Sequence, residues 1–272
     1  MISWLASIDT LLRGDLRKNR NDSEGSIDFP IVQVLIMSIV LAAIFGASIG
    51  SFTAVSAKVP RDGWMQLLAS TVKAPLLFYL TLLVTFPSLY VFNALMGSKL
   101  NILAALRLLV ASIAVMVAVL ASLGPIIVFF AFSTPGGRAG HRFILLLVVA
   151  LCSIAGGLGL GYLLKMLNRH MRIGSSRMLE QSEQAAAETP SHIEIQTVPK
   201  AAALAIRTST SSAAYAIFRV WVFVFAVVGA QMSWVLRPFI GSPDMEFSWF
   251  RDRSGNFFQA VFHMLTMLLT GE

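Results

Sequence analysis

The chain has 272 residues, of which 56% are hydrophobic and only 13% charged, and its mean hydropathy is +0.74. A soluble domain is about one-quarter charged and each helical membrane crossing takes about 20 apolar residues, so this composition excludes a soluble nucleotide-fold enzyme and supplies several spans. The formal charge of +7 comes from 21 Lys and Arg against 14 Asp and Glu; in a multi-span chain such an excess follows the positive-inside rule and gives no reason to expect a nucleic-acid partner.

In chain order, residues 1–28 read as an N-terminal amphipathic and polar cytoplasmic segment. Ile2, Leu5, Ile8, Leu11 and Leu12 fall at helical spacing beside Trp4, and a polar stretch from Asp15 to Asp28 follows. This pattern is unlike a cleavable signal peptide, so the first span is expected to stay attached. A four-span membrane region is expected over 29–167, with spans at about 29–54, 75–96, 102–132 and 143–167. The turn-like Pro60-Arg61-Asp62-Gly63 closes the first. Trp64 to Val72 is half polar and too short to cross, so it reads as an interfacial piece joined to the second span at Lys73 and Pro75. Pro87 in the second span and Pro125, after Gly124, in the third predict kinks.

Ser133 to Arg142, with Pro135, Gly136 and Gly137, reads as a loop. Over 168–213 Leu and Val give way to Glu, Gln, Ser, Thr, Arg and short Ala runs, which predicts a polar, flexible cytoplasmic loop. A fifth span follows at 214–236, and 237–272 is a C-terminal interfacial segment. Phe257, Phe258, Val261, Phe262, Leu265, Leu268 and Leu269 recur there at helical spacing, suited either to the bilayer surface or to packing against the spans. The expected fold is all-α: a polytopic membrane protein of about five transmembrane helices, with amphipathic interfacial helices at both ends. If the N-terminus lies inside, thirteen Lys and Arg fall on inside segments and eight outside, which favours N-in and C-out in a bacterial cytoplasmic (inner) membrane.

From Phe29 through Leu179 the only acidic residue is Asp62, in a loop, and the fifth span has none. Ion-coupled carriers place a carboxylate or His at mid-membrane to compensate the coupling charge, so a proton pump is not expected. His141, His170, His192 and His263 all fall outside the expected spans, and the single Cys152 lies in an apolar run. No catalytic, metal-binding or cofactor-binding constellation is expected.

Other candidates are contact residues. Arg107 and Arg219 lie just inside the cytoplasmic ends of apolar spans; they suit snorkelling to the headgroups or a shared lipid-phosphate site. Gly46 with Gly50, and Gly157 with Gly161, form small-xxx-small faces for helix packing within the chain or between copies. Thr81, Thr85, Ser88, Tyr90 and Asn93 surround Pro87, either satisfying the freed backbone or lining a substrate groove. After the fifth span, Trp234, Arg237, Pro238, Phe239, Gly241 and Pro243 read as an aromatic belt or, with Trp249 and Arg251, as a recognition surface.

The stretch Trp234-Val235-Leu236-Arg237-Pro238-Phe239-Ile240-Gly241-Ser242-Pro243, with Phe250-Arg251 and Gly255-Asn256-Phe257-Phe258, resembles a family of uncharacterised bacterial polytopic membrane proteins. Lys73-Ala74-Pro75 and Phe86 to Asn93 are similar to the same group, so the resemblance covers most of the membrane part but not the polar loop. Some relatives in that group carry an actin-binding label, which here has only Leu16-Arg17-Lys18-Asn19 to rest on. The five-span layout also resembles Yip-type membrane proteins, in architecture and without a shared motif.

These readings point to a non-enzymatic membrane-organising, scaffold or accessory protein. Its expected partners are the lipid bilayer, a membrane or peripheral protein, and a second copy of the chain. The alternative is a channel or carrier for a small or amphipathic solute that uses no intramembrane carboxylate.

Overall fold

A computed structural model describes residues 31–57, 59–95, 102–135, 137–188, 219–241, 245–252 and 255–270. The described residues form six helices: α1 (Ile31–Ser56), α2 (Pro60–Leu95), α3 (Ile102–Ser133), α4 (Arg138–Glu188), α5 (Arg219–Val235) and α6 (Phe257–Thr270). Four of them carry a stretch long and apolar enough to cross a membrane: Ile31–Ser56, Pro60–Ser88, Leu106–Ser133 and Arg138–Met166. The chain is an all-α, multi-pass protein built to sit in a membrane. The N-terminal amphipathic segment expected over 1–28 lies outside the described residues.

Three boundaries differ from the sequence reading. The interfacial piece does not separate from the second span, because α2 runs unbroken for 36 residues through Pro75 and Pro87. Its half-polar start, Trp64 to Val72, is part of the crossing, since Gln66, Ala69 and Ser70 turn inward and need no water. The expected loop over 168–213 begins as a direct extension of α4, which continues to Glu188. That helix has 51 residues, about 75 Å at 1.5 Å per residue, against a hydrocarbon core of about 30 Å. Leu, Met, Gln, Glu and three consecutive Ala favour helix there, and Pro190 then disfavours continuation. The loop expected over Ser133 to Arg142 is shorter, because α4 already starts at Arg138; of the fifth expected span, residues 219–235 are described, as α5, and residues 214–218 lie outside the described set.

The core is layered, with α1 packed between α2 and α3, α4 on the far side of α3, and α6 against α4. Close approach of α1 to α2 is set by Gly46 and Gly50. A Cβ on Gly46 would stand 2.3 Å from the Ser70 carbonyl oxygen, and one on Gly50 would stand 2.7 Å from Leu67 Cα. On the other side, a Cβ on Gly124 would meet Ser48 Oγ at 2.7 Å, so α1 and α3 also touch near Pro125, inside a continuous α3. The second small-residue face behaves differently. Nothing lies within 4 Å of a Cβ placed on Gly157 or Gly161, and the residue that packs against α3 is Gly159, 2.7 Å from Met116 Cβ. The four-residue spacing of Gly157 and Gly161 lies off the packing within the chain, because the α3 contact follows the face of Ala155, Gly159 and Leu163.

α5 closes the bundle against α2. Trp221 and Phe225 enter the same core cluster as Val34, Leu82 and Leu108. The Trp221 indole is fully buried and its N–H donates to the Thr85 carbonyl oxygen at 3.1 Å. The hydroxyls of Thr81, Thr85 and Ser88 donate to carbonyls of their own helix, and Gly229 lies against the Thr81 methyl group. Thr81 and Thr85 are therefore covered by α5, whereas Ser88 is half-buried, Tyr90 is exposed and the Asn93 side chain lies outside the described residues.

Candidate functional site

One end of the bundle gathers the α1–α2 turn, the start of α4 and the chain leaving α5. α2 contributes Gln66, Ser70 and Lys73, spaced four and three residues apart and hence on one helical face. All three are polar and no more than 2% exposed. Facing them is a non-helical segment, Arg237 to Gly241, in which Pro238, Ile240 and Gly241 are buried.

Buried irregular backbone has no helical ladder, so each buried carbonyl needs a donor from elsewhere. The α2 face supplies them. Gln66 Nε2 donates to the Pro238 and Phe239 carbonyl oxygens, both at 3.1 Å, and the Ser70 hydroxyl also donates to Phe239 O. Thr53 Oγ1, from α1, donates to Gly241 O at 3.1 Å. The Arg237–Pro238 peptide is cis. Gly241 is required by proximity: a Cβ there would stand 2.8 Å from Thr53 Cγ2 and 2.9 Å from Gln66 Cγ.

Lys73 ties two parts of this segment together. Its ammonium donates to Pro238 O at 3.1 Å and to Trp249 O, and lies 5.0 Å from the Phe250 ring centroid and 5.9 Å from that of Trp249. A buried cation loses its hydration, and carbonyl dipoles with aromatic faces replace part of it.

Nearer the surface, the Arg237 guanidinium stacks on Trp234 at 3.9 Å and donates to Asp252 O, while the Trp234 indole donates to Gly255 O at 3.2 Å. Arg251 contacts Met245 Sδ at 3.0 Å and Glu246 O at 3.5 Å. Burial, and secondarily the charge of Arg237, pull the Arg251 pKa below the usual guanidinium value. Beyond this web Met245, Trp249 and Phe250 leave large apolar faces exposed, 62%, 47% and 58% respectively.

A cleft of about 470 Å³ lies beside this web, between the first turn of α4 and α6, with Arg138, His141, Arg142, Trp234, Met264 and Met267 among its lining. His141, expected in a loop, stands on that first turn because α4 starts at Arg138, immediately after Gly137. α6 is fixed by a reciprocal cap: Asn256 Oδ1 accepts from the Gln259 N–H at 2.9 Å, and Gln259 Oε1 accepts from the Asn256 N–H at 3.3 Å. Gly255, with φ +75°, turns the chain into that cap.

The structure brings Trp234, Arg237, Pro238, Phe239, Gly241, Trp249 and Arg251 together, as the sequence reading had them, but divides their roles. Pro238 and Gly241 are buried against α1 and α2, so they anchor the segment and offer no surface to a partner. Trp249 is exposed; Trp234, Arg237, Phe239 and Arg251 are half-buried, and Pro243 lies outside the described residues. Arg107 is half-buried on α3 and Arg219 is exposed at the start of α5; their neighbours Leu106 and Trp221 share one core cluster at the opposite end. Sequence reasoning missed Thr53, Gln66, Ser70 and the internal role of Lys73. The signal was present in the 66-70-73 spacing, a polar stripe on one face of a long apolar helix. No family model, curated protein or solved structure matches the chain.

Proposed function

We propose that this chain is a non-enzymatic organising or accessory protein of a bacterial cytoplasmic membrane, acting through contacts at the end formed by the α5 exit, with its N-terminus inside and that end outside. The observation that carries this reading is the anchoring of residues 237–241 and Trp249 by Thr53, Gln66, Ser70 and Lys73. Buried polar groups spent on holding a surface segment give it one fixed shape, and a fixed aromatic surface loses little entropy on meeting a partner. Exposed Trp249 and Phe250 beside Arg251 have the composition of binding hot spots. The carrier alternative draws less support, because Thr81 and Thr85 near Pro87 are buried against α5 and their hydroxyls bond their own helix.

Chemical cross-linking in the native membrane, followed by mild solubilisation and mass spectrometry, tests this reading with wild type and Trp249→Ala. A stoichiometric protein partner that is lost in Trp249→Ala, with thermal stability retained, is the expected result. Self-links alone in wild type, unchanged in the variant, would overturn it and make solute-flux measurements on reconstituted protein the next step.

A further inference from the structure

We propose that Met245 is a reversible oxidation site whose sulfoxide oxygen closes onto the Arg251 guanidinium and stiffens the loop that presents Trp249 and Phe250. The inference rests on the contact-surface reading above for what that stiffening governs, and adds a modification to it.

The loop is held unequally. On the α2 side the buried Lys73 ammonium donates to Trp249 O and lies 5.0 Å from the Phe250 ring centroid. Inside the loop, Phe247 and Trp249 meet edge to face with centroids 5.7 Å apart, and the Ser248 hydroxyl donates to Phe250 O. Between its two ends the closure is an Arg251 N–H on Met245 Sδ at 3.0 Å, with Glu246 O at 3.5 Å from the same guanidinium. A thioether sulfur is a weak acceptor and 3.5 Å is the limit of hydrogen bonding, so these are the loop's weakest contacts.

The closing sulfur is open to chemistry. Met245 is 62% exposed. Among the methionines with described side chains it is the only exposed one: Met116 and Met166 are buried and the rest are half-buried. With hydrogen peroxide, the sulfur lone pair attacks one peroxide oxygen and an S–O bond forms as the O–O bond breaks. The proton of the transferred hydroxyl passes to the departing hydroxide, which leaves as water; sulfur is oxidised by two electrons and peroxide is reduced by two. The product replaces a weak acceptor with a strongly dipolar oxygen, beside a guanidinium already in contact with the sulfur. A hydrogen bond from a cation is roughly twice as strong as one between neutral groups, and the flexible Met245 side chain takes up the change in length. Oxidation of a core methionine disrupts packing, whereas this side chain has little packing to lose.

Full-length protein in detergent, treated with hydrogen peroxide, tests the proposal by peptide mass spectrometry and amide hydrogen exchange. Met245 should become the sulfoxide before Met232 or Met116, and exchange across residues 246–251 should then slow by about fivefold to tenfold, the step from a weak to a charge-assisted hydrogen bond. A methionine sulfoxide reductase should restore the faster exchange. Arg251→Leu should still be oxidised at Met245 but show no slowing, and Met245→Leu should make the loop indifferent to peroxide. Met245 still reduced when Met232 is oxidised, exchange unchanged or faster in the sulfoxide form, or the same slowing in either variant overturns the proposal. All of these are read without a partner, so their failure is distinguishable from the failure of Trp249→Ala to release a cross-linked one.

Discussion

Lys73 Nζ stands 3.1 Å from the carbonyl oxygen of Pro238, a residue 165 positions later in the chain. That contact joins the middle of α2 to the segment leaving α5, and the same ammonium reaches Trp249 O. Hydrogen bonds to a charged group contribute about 1.5–3 kcal/mol, so Lys73→Met is expected to cost about 2 kcal/mol. Thermal unfolding in detergent measures the loss, and amide hydrogen exchange should rise across residues 236–252 before it rises in α1. Unchanged exchange there would mean that the ammonium does not hold the segment.

The two glycine pairs should respond oppositely to alanine. Gly46→Ala forces a Cβ to within 2.3 Å of the Ser70 carbonyl, a backbone atom that cannot step aside, and overpacking of this kind costs about 1–3 kcal/mol or more. Gly157→Ala meets nothing within 4 Å and gains up to about 1 kcal/mol of helix propensity. Melting temperatures of the two variants should therefore move apart, the first down and the second level or up.

Gly241→Ala should destabilise by about 1–3 kcal/mol, since its Cβ would press on Thr53 Cγ2 and Gln66 Cγ. Combined with Thr53→Ser, which removes the crowding methyl group and keeps the hydroxyl donor, part of that cost should return. A double-mutant cycle on thermal stability reads the coupling between the two positions.

Trp221→Phe keeps an aromatic ring in the core but removes the indole N–H that donates to Thr85 O together with part of the ring volume, so a cost of about 1–3 kcal/mol is expected. Trp221→Ala also leaves a cavity between α5 and α2 and should cost about 3–5 kcal/mol. Similar losses for both variants would show that the indole's N–H and second ring, not the filling of the site by any aromatic ring, dock α5.

Orientation has its own test. In a Cys152→Ala background, Lys165→Cys and Thr270→Cys place single thiols at exposed positions on opposite ends of the described bundle. With the N-terminus inside, an impermeant maleimide applied to intact cells should label Thr270→Cys and spare Lys165→Cys. The reverse pattern would invert the topology.

The sequence alone determined that this chain is helical and membrane-embedded, because hydropathy over about 20 residues is a local property and bilayer thickness fixes the length it must reach. It also singled out the Trp234–Gly241 region, through clustered Trp, Arg, Pro and Gly. Tertiary structure decided what those residues do. Pro238 and Gly241 are buried because donors from α1 and α2 satisfy a non-helical backbone whose carbonyls burial would otherwise leave unpaired. The same holds for Gly46 and Gly157: equal spacing in the sequence, but only Gly46 faces a neighbouring helix. Lys73 reads in one dimension as the join between an interfacial piece and a span, and in three as the tie between α2 and the α5 exit. A spacing names the face of a helix; which neighbour meets that face depends on contacts between residues distant in the chain.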